Sequence, residues 1–268
     1  MAIGTLENFE SHLKGRGLSP HSIRAFTTDL RQFFEFVNGR NITDALISEW
    51  FGSLKERGLT NKTLARKATS LAIYSRWCGA IWSIPRVRPE RRLPEALSEV
   101  EARAVLQAAS STRKGERDRL MVELMLRCGL RSSELLSLRK GDFEEEGGIL
   151  YLRVTGKGDK ERRIPIVHKQ LIGALKRYTR GMLPGDLLFP MSPRNLRKLV
   201  ARIGEKTGLE KRLHPHLLRH TAATLYLRRG ANIESVRRTL GHESLATTQK
   251  YLALTDEDVA RDLSKASW

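Results

Sequence analysis

ILYLRVTGKGDKERRIPI, the sequence of residues 149–166, departs from the helical spacing of apolar side chains that prevails elsewhere in the chain. Side chains alternate in character along 149–154 and again along 164–166, and a period of two residues is typical of β-strands. The intervening residues 155–161 contain two glycines, which indicates a turn. The sequence therefore predicts a β-hairpin with Lys157 near its tip.

Helical spacing predicts α-helices on both sides of this hairpin. Residues 1–83 are predicted to form an all-helical domain, in which Ser19 caps a helix and Pro20 occupies its first turn. Residues 84–94 combine prolines with arginines, which is typical of an extended basic linker. Residues 95–268 form the second domain, which contains the hairpin. We therefore expect a mainly α protein of two domains, with a small antiparallel β-sheet in the C-terminal domain.

The second domain has further helix signals. Ser98 and Glu101 have the spacing of a capping box at the start of a helix. Apolar side chains then recur at helical spacing, and glycines mark several of the ends. Helices are predicted at about 98–109, 115–128, 132–138, 168–180, 192–207, 215–229, 233–240 and 244–253, followed by a tail helix within 256–268.

The chain of 268 residues carries a formal net charge of +18, since it has 48 Lys and Arg but 30 Asp and Glu. Such a charge favours polyanionic partners, above all nucleic acid, although an RNA-binding protein would share it. Between residues 60 and 93, eight basic side chains accompany one acidic side chain, Glu90. A surface that follows phosphates explains this imbalance better than an ordinary solvated face does. The candidates for DNA contact are Lys62, Arg66, Lys67, Arg86, Arg88, Arg91 and Arg92.

Cellular location is constrained by the apolar residues and the cysteines. No apolar run approaches the roughly 20 residues that a membrane-spanning helix needs. The N-terminus also lacks the basic and then apolar order of a signal peptide. Cys78 and Cys128 lie in apolar or helical stretches, which is typical of buried thiols in a reduced compartment. We therefore expect a cytoplasmic protein with no membrane contact.

Polar residues that could do chemistry lie in separate short contexts. Arg131 follows a helix break at Gly129 and precedes Glu134 by one helical turn, so an ion pair can orient its guanidinium group. Lys157 lies on the predicted turn of the hairpin. Taken singly, the first pattern is a common surface salt bridge, and the second is an ordinary turn lysine.

The segment LHPHLLRHT, residues 213–221, combines histidines with an arginine. Its proline begins a helix, which places His216 and Arg219 on one face near a helix N-terminus, where a phosphate binds favourably. The alternative is a metal site with the ligands His214, His216 and His220. No nearby carboxylate or cysteine completes such a site, so no metal or other cofactor is expected. The acidic run at 142–146 precedes a glycine turn and is interpreted as a solvated loop.

Tyr251 follows His242 by nine positions. Gly241 ends one predicted helix, so His242 lies in a tight turn, and Tyr251 lies two turns along the next helix. A lone tyrosine at such a position is usually a half-buried core residue. In a basic chain with Arg131 and Arg219 in the preceding contexts, it is also a candidate nucleophile for a phosphate.

Taken together, these contexts resemble the tyrosine recombinase, or phage-integrase-like, family. The helical N-terminal part is similar to the core-binding domain of that family, and the compact two-domain chain most resembles recombinases of the Xer type. The resemblance implies a catalytic fold of this family and a C-shaped clamp around duplex DNA. The matching strings, in the family's order, are GLRSSEL at 129–135, TGKGDK at 155–160, HLLRH at 216–220, LGH at 240–242 and TTQKY at 247–251.

The resemblance also implies a phosphate-binding role for several residues. Arg131 and Arg219 would clamp the non-bridging oxygens of the scissile phosphate, because a guanidinium donates paired hydrogen bonds and keeps its charge. His242 would add a hydrogen bond. Glu134 would orient Arg131 from behind.

The remaining members of the implied catalytic set move protons and make the covalent bond. Tyr251 would attack phosphorus and form a 3′-phosphotyrosyl link, while Lys157 would protonate the 5′-oxygen that leaves. His216 would assist proton transfer, since a histidine titrates near neutral pH. The phosphotyrosyl link keeps the energy of the broken bond, so rejoining would need neither metal nor ATP.

The implied partners are duplex DNA with a specific recombination site and further copies of the chain. The expected assembly is a tetramer on two DNA sites, in which the tail at 256–268 docks on a neighbouring subunit. The implied role is resolution of chromosome or plasmid dimers, and hence chromosome partition at cell division. Two alternatives stay open: an integrase or excisionase of a virus or mobile element, and a non-catalytic DNA-binding protein of the same fold.

Overall fold

The computed structural model of the chain describes residues 5–88, 95–156, 160–249 and 251. By its internal contacts the chain divides into two units, Met1–Arg92 and Leu93–Trp268. Several predictions fall outside the described residues, so the structure does not report on them. They concern Lys157, Arg91, Arg92 and the tail helix within 256–268.

The helices of the first unit begin at hydroxyl caps. Each follows a Ser or Thr whose side-chain oxygen accepts a hydrogen bond from a backbone N–H of the first turn. Ser19 is such a cap and Pro20 follows it, as predicted. The helices are α1 (Leu6–Gly15), α2 (Pro20–Val37), α3 (Asp44–Glu56) and α4 (Asn61–Cys78).

Aromatic rings fill the core between these helices. Phe9 and Phe34 contact the ring of Tyr74 edge-on, with centroid distances of 5.1 and 5.3 Å. After α4 the chain has no regular structure up to residue 88, and Trp82 and Val87 pack against the same core. The first residues of the predicted linker therefore contribute to the packing of the first unit.

A buried carboxylate joins α2 to α4. Asp29 is 1% exposed and accepts hydrogen bonds from Lys67 Nζ at 2.9 Å and Ser70 Oγ at 2.8 Å. Lys67 is itself only 3% exposed. The prediction that Lys67 contacts DNA is therefore wrong, because its ammonium points inward and neutralises Asp29. Arg66 also pairs with Asp29, but its side chain is 43% exposed.

The second unit is mainly helical around a small sheet, as the sequence predicts. Ser98 and Glu101 form the expected capping box. No helix among the described residues is both long and apolar enough to cross a membrane. The elements, in chain order, are α5 (Glu99–Ser110), α6 (Gly115–Arg127), α7 (Ser132–Ser137), β1 (Phe143–Glu146), β2 (Ile149–Thr155), β3 (Glu161–Ile166), α8 (Lys169–Tyr178), α9 (Pro193–Thr207), α10 (Pro215–Arg228), α11 (Ile233–Leu240) and α12 (Leu245–Gln249).

The sheet is antiparallel, with the strand order β1-β2-β3. The predicted hairpin is confirmed as β2 and β3, in which Leu152 lies opposite Ile164. The interpretation of the acidic run as a solvated loop is wrong, because residues 143–146 form the edge strand β1. Their glutamates concealed the strand in the sequence, yet they suit an exposed edge because Arg163 on β3 pairs with Glu144 and Glu146.

Candidate active site

Glu134 on α7 lies at the centre of the candidate site and is 3% exposed. It accepts hydrogen bonds from the backbone N–H of Arg131 at 2.8 Å and from the guanidinium of Arg131 at 2.7 Å. Arg162 donates one bond of 2.9 Å to each carboxylate oxygen, and Arg219 Nη1 lies 3.8 Å away. One carboxylate thus contacts several guanidinium groups, which leaves an excess of positive charge for a phosphate.

The ionisation of Glu134 follows from these contacts. Burial by itself would raise the pKa of its carboxyl group, since a charge is costly to remove from water. Hydrogen bonds from Arg162 and from the Arg131 N–H outweigh burial and lower the pKa to about 2. Glu134 is therefore a carboxylate at every physiological pH.

Arg219 on α10 is 5% exposed and holds two helix ends together. Its Nη1 donates to the carbonyl of Gly129 at 2.6 Å, and its Nη2 donates to the carbonyl of Leu240 at 2.5 Å. Gly129 lies just beyond the end of α6, and Leu240 is the last residue of α11. Carbonyls at such positions have no hydrogen-bond partner within a helix. Burial and the charge of Arg131 lower the pKa of Arg219 to about 10, so it stays protonated at neutral pH.

Two glycines allow these groups to approach. Gly129 has a φ of +61°, and a Cβ there would lie 2.3 Å from Leu240 Cδ2. Gly241 has a φ of +64°, and a Cβ there would lie 3.1 Å from the side chain of Arg162. Both positions are in the left-handed region that favours glycine. The prediction that Gly241 ends a helix is confirmed, because it is the C-cap of α11.

Arg131, the other predicted phosphate clamp, reaches the same end of α11. Its Nη2 donates to the carbonyl of Gly241 at 3.1 Å, next to the Leu240 carbonyl that Arg219 binds. The side chain of Arg131 is 35% exposed. The structure therefore brings the two predicted clamp residues together, one buried and one partly open to solvent.

Tyr251 lies in a turn just beyond α12 and not within a longer helix as predicted. Its backbone N–H donates to the carbonyl of Thr248 at 3.0 Å. The phenol oxygen lies 2.6 Å from Nδ1 of His220, and the ring stacks on His242 with a centroid distance of 6.1 Å. Burial raises the pKa of Tyr251, although the charges of Arg219 and Arg131 oppose this effect.

The histidines differ in their surroundings. His242 is 8% exposed, and its Nδ1 is hydrogen-bonded to Thr248 Oγ1 at 2.9 Å. Burial, together with the charge of Arg219, lowers the pKa of His242 to about 4. His220 also has a pKa lowered to about 4, by burial and by the neighbouring His216. Both His220 and His242 are therefore neutral at pH 7.

The histidines that the metal-site alternative would group differ in their contacts. His214 caps α10, since its Nδ1 accepts a hydrogen bond from the N–H of Leu217 at 3.1 Å. His216 is exposed in the first turn of α10, and its ring centroid lies 6.4 Å from that of His220. Within the described ranges, no group of three or more metal-ligating side chains is arranged to hold an ion.

Sequence reasoning missed Arg162 and His220 as site residues. Arg162 shares its face of β3 with the buried Ile164 and Ile166, so the period of two already placed it toward the core. A buried arginine is rare unless it has a partner, and that signal could have identified it. His220 was considered only as a metal ligand, and nothing in its spacing indicates the contact with Tyr251.

The predicted catalytic Lys157 lies outside the described residues. Lys160, the first described residue after 156, is near the site, since its Nζ lies 3.3 Å from Glu243, the residue after His242. Both partners are exposed, so this pair contributes little stability.

Comparisons with known proteins identify the class. The Phage integrase family profile matches residues 95–258, and the profile of the N-terminal SAM-like domain of phage integrases matches residues 6–78. The chain therefore belongs to the phage integrase family, whose members are tyrosine recombinases. Its resemblance to enzymes that break and rejoin DNA is confirmed.

The relatives point to the Xer type within this family. Tyrosine recombinase XerA of Thermococcus kodakarensis is 35% identical over an alignment of 274 residues, gaps included, and the alignment covers 97% of this chain and 94% of that protein. Tyrosine recombinase XerC of Mycobacterium sp. (strain KMS) is 34% identical over 284 residues, covering 93% and 94%. A crystal structure of the XerH site-specific recombinase bound to difH substrate superposes with a TM-score of 0.75, with 25% identity and coverage of 100% and 85%. The chain is a Xer-type tyrosine recombinase.

Proposed function

We propose that this recombinase cleaves duplex DNA at a specific site by attack of Tyr251 on the scissile phosphate. The observation that carries the proposal is that the Tyr251 ring lies against His242, whose turn is held by Arg131 and Arg219. A nucleophile and a cluster of positive charge therefore share one small volume. The product would be a 3′-phosphotyrosyl link, and attack on it by a 5′-hydroxyl would rejoin the strand without metal or ATP.

Phosphate binding is assigned to the arginines in this proposal. Arg131 and Arg219 would donate hydrogen bonds to the non-bridging oxygens, using N–H groups that Glu134 and the helix carbonyls leave available. Both guanidinium groups are oriented before DNA arrives, because Glu134 and Gly241 hold Arg131. The carbonyls of Gly129 and Leu240 hold Arg219. Donors fixed in advance stabilise the charge that grows on the pentacovalent phosphate.

Proton transfer is assigned to the lysine and histidines. Lys157 would protonate the 5′-oxygen as it leaves, and His216 in the first turn of α10 would assist proton transfer at the phosphate. His242 would donate a hydrogen bond to a non-bridging oxygen. Its Nδ1 contact with Thr248 fixes the ring orientation, which supports this assignment.

DNA contact is assigned to basic residues of the first unit and the linker. Lys62, Arg86 and Arg88 are exposed, and Arg66 is partly so. Together with Arg91 and Arg92, they would follow the phosphates, while the second unit places the catalytic residues at one strand.

Assembly is proposed to be a tetramer on two DNA sites, with exchange of the tail at 256–268. An apolar groove of about 320 Å³ between α5, α6 and α10 supports this proposal. Its lining includes Leu106, Leu126 and Leu225, and it would accept the apolar side chains Val259 and Leu263 of the tail if the tail forms the helix that its sequence predicts. Deletion of 256–268 would then prevent assembly and strand cleavage without preventing binding of one subunit to DNA. Unchanged assembly in the deleted chain would remove tail exchange from the proposal.

The proposed cellular role is resolution of chromosome or plasmid dimers, and hence chromosome partition before cell division, in the cytoplasm. The similarity to XerA and XerC along nearly the whole chain supports it. Integration or excision of a mobile element uses the same chemistry. Which role applies depends on where the recombination site lies, and mapping that site distinguishes the two.

The chemistry is tested by trapping the covalent intermediate. The recombination site is first identified as the duplex that the Tyr251→Phe protein retains from a random-sequence library. Copies of this duplex, each nicked at a different position, then serve as substrates. Wild-type protein in EDTA should give a protein–DNA adduct on a denaturing gel, and Tyr251→Phe should give none. Tyr151→Phe is the matched control, because Tyr151 lies on β2 beside Arg163 and away from the cluster.

Each other outcome of this experiment has a defined meaning. An adduct with Tyr251→Phe, or an adduct that requires added Mg²⁺, would contradict the mechanism. Retention of the duplex with no adduct from wild-type protein on any nicked copy would favour a non-catalytic DNA-binding protein of the same fold.

A further inference from the structure

The phenol of Tyr251 and the imidazole of His220 form a contact that the proposed mechanism does not use. The Tyr251 oxygen lies 2.6 Å from Nδ1 of His220, which is a short hydrogen bond. The two ring centroids are 5.3 Å apart. A candidate base must lie within hydrogen-bond reach of the proton that it removes, and His220 meets this condition.

The surroundings of this contact fix its geometry. His220 follows Arg219 directly on α10, and Arg219 is anchored to the carbonyls of Gly129 and Leu240. The imidazole of His242 also contacts Tyr251, since it stacks on the phenol ring at an interplanar angle of 16°. The phenol is therefore held between the imidazole nitrogen of His220 and the flat ring of His242, beside the residues that would bind the phosphate.

We propose that His220 is a catalytic residue that accepts the phenol proton as Tyr251 attacks phosphorus. This inference rests on the proposed function. In the step, the bond between Tyr251 Oη and phosphorus forms while the bond between phosphorus and the 5′-oxygen breaks. The phenol proton passes to Nδ1 of His220, and the leaving 5′-oxygen takes a proton from a different group, assigned above to Lys157. In rejoining, the imidazolium returns the proton to the phenol oxygen.

The electrostatics explain why the transfer waits for DNA. Burial and the neighbouring His216 lower the pKa of His220 to about 4, while burial raises that of Tyr251. The proton therefore stays on Tyr251 in the free protein. A DNA phosphate brings negative charge next to His220, and an adjacent negative charge favours the protonated imidazole. Arrival of the substrate thus strengthens the base, so the nucleophile is activated only in its presence.

The roles assigned to His216 and His220 are different. His216 is exposed and lies one turn earlier on α10, at a ring distance of 6.4 Å from His220. In the proposal it assists proton transfer at the phosphate. His220 is the histidine in hydrogen-bond contact with the nucleophile itself.

The test uses a substrate whose leaving group needs no proton. The selected duplex is made with sulfur in place of the bridging 5′-oxygen at the cleaved position, so adduct formation reports on the attack by Tyr251. Wild type, His220→Asn, His220→Ala and the control His21→Asn are compared for adduct rate and for binding of the same duplex. His21 is exposed on α2, in the first unit, and belongs to none of the sites proposed above.

A base is expected to contribute about 10²-fold or more to the rate. His220→Asn should therefore form adduct at least about 10²-fold more slowly than wild type, although its amide can still accept a hydrogen bond from the phenol. DNA binding should be unchanged, and imidazole added to His220→Ala should restore part of the rate. His21→Asn should match wild type.

Other outcomes would overturn the inference and leave the proposed function intact. Wild-type rates in both His220 variants would show that another group takes the proton. Faster adduct formation in both variants would show that His220 restrains Tyr251 in a resting position. A slow His220→Ala protein that imidazole does not rescue would indicate a purely structural contact. Failure of the proposed function is distinct, because wild-type protein itself would then form no adduct.

Discussion

The guanidinium of Arg162 donates one hydrogen bond of 2.9 Å to each carboxylate oxygen of Glu134, which is a two-bond pair between β3 and α7. Its Nε also donates to the carbonyl of Thr239 at 2.9 Å, so the same side chain reaches α11. The next residue, Arg163, points to the other face of β3, is 45% exposed and pairs with surface glutamates. The strand thus offers a buried and an exposed arginine side by side.

This alternation gives a matched pair of variants. Leaving a buried charge with no partner costs about 3–5 kcal/mol, but Glu134 keeps Arg131 as a partner when Arg162 is replaced. Arg162→Met removes two hydrogen bonds to a charged group, so it should lower the free energy of unfolding by about 2–3 kcal/mol. Arg163→Met should lower it far less, because exposed pairs contribute little. Urea unfolding of both variants measures the difference, and equal losses would contradict the assigned role of Arg162.

Glu134→Gln changes the charge of the central acceptor without changing its shape. The amide has one acceptor oxygen, so it cannot bind Arg131 and Arg162 as the carboxylate does. Misplacement of Arg131 by about 1 Å is expected to slow adduct formation by about 10²-fold. The control is Glu145→Gln, since Glu145 is 55% exposed and pairs with Lys176 on the surface. An unchanged adduct rate in Glu134→Gln would show that Arg131 is oriented by other contacts.

Stability is predicted to rise as the pH increases from about 4 to about 6.5. His220 and His242 have pKa values lowered to about 4 in the folded chain, against about 6.5 when unfolded. The unfolded chain binds more protons in this interval, so acid favours unfolding. Their contribution is fully present above about pH 6.5 and is lost as the pH falls toward 4.

The measurement is urea unfolding at pH 7.5 and pH 5. His242→Asn should reduce the difference in unfolding free energy between the two conditions, because the buried His242 no longer takes up a proton on unfolding. His21→Asn, a change at an exposed position on α2, should leave the difference as it is in wild type. Equal pH dependence in wild type and His242→Asn would contradict the prediction. The contribution of Glu134 to stability is lost only in a more acidic range, as the pH falls toward its pKa of about 2.

Lys62 and Lys67 on α4 are predicted to respond differently to replacement. Lys62 is exposed, so Lys62→Met should weaken DNA binding and reduce its salt dependence without affecting stability. Lys67 neutralises the buried Asp29, so Lys67→Met should lower the free energy of unfolding by about 3 kcal/mol. Filter-binding titrations at several salt concentrations and urea unfolding separate the two effects. A stable Lys67→Met protein with reduced DNA affinity would restore Lys67 to the DNA-contacting set.

The helices and the hairpin could be predicted from the sequence because their signals are local. Caps such as Ser19 and Ser98, and the glycine at 241, act on residues within one turn of themselves. The strand β1 was not predicted, because its glutamates are stabilised by Arg163, which is distant in sequence. Local patterns carry no information about such a compensating partner.

The candidate site shows the same limit. Arg131, Arg219 and His242 belong to short recognisable strings, and the structure brings them together. The contact between Tyr251 and His220 depends on where the chain after α12 returns to α10, and that return is set by tertiary packing. The predicted DNA contact of Lys67 is wrong for a related reason, because the buried Asp29 on another helix holds its ammonium group inward.

Arg219 has a consequence for how safely a DNA-cutting enzyme can exist inside a cell. Its guanidinium is oriented by the carbonyls that end α6 and α11, so loosening either helix end also releases the arginine. If Arg219 binds the phosphate as proposed, a molecule that is newly made, heat-damaged or partly opened would lack that group even with Tyr251 still present. Such a molecule would be inert toward the genome, and damage to the fold would inactivate the enzyme instead of turning it into an indiscriminate nickase.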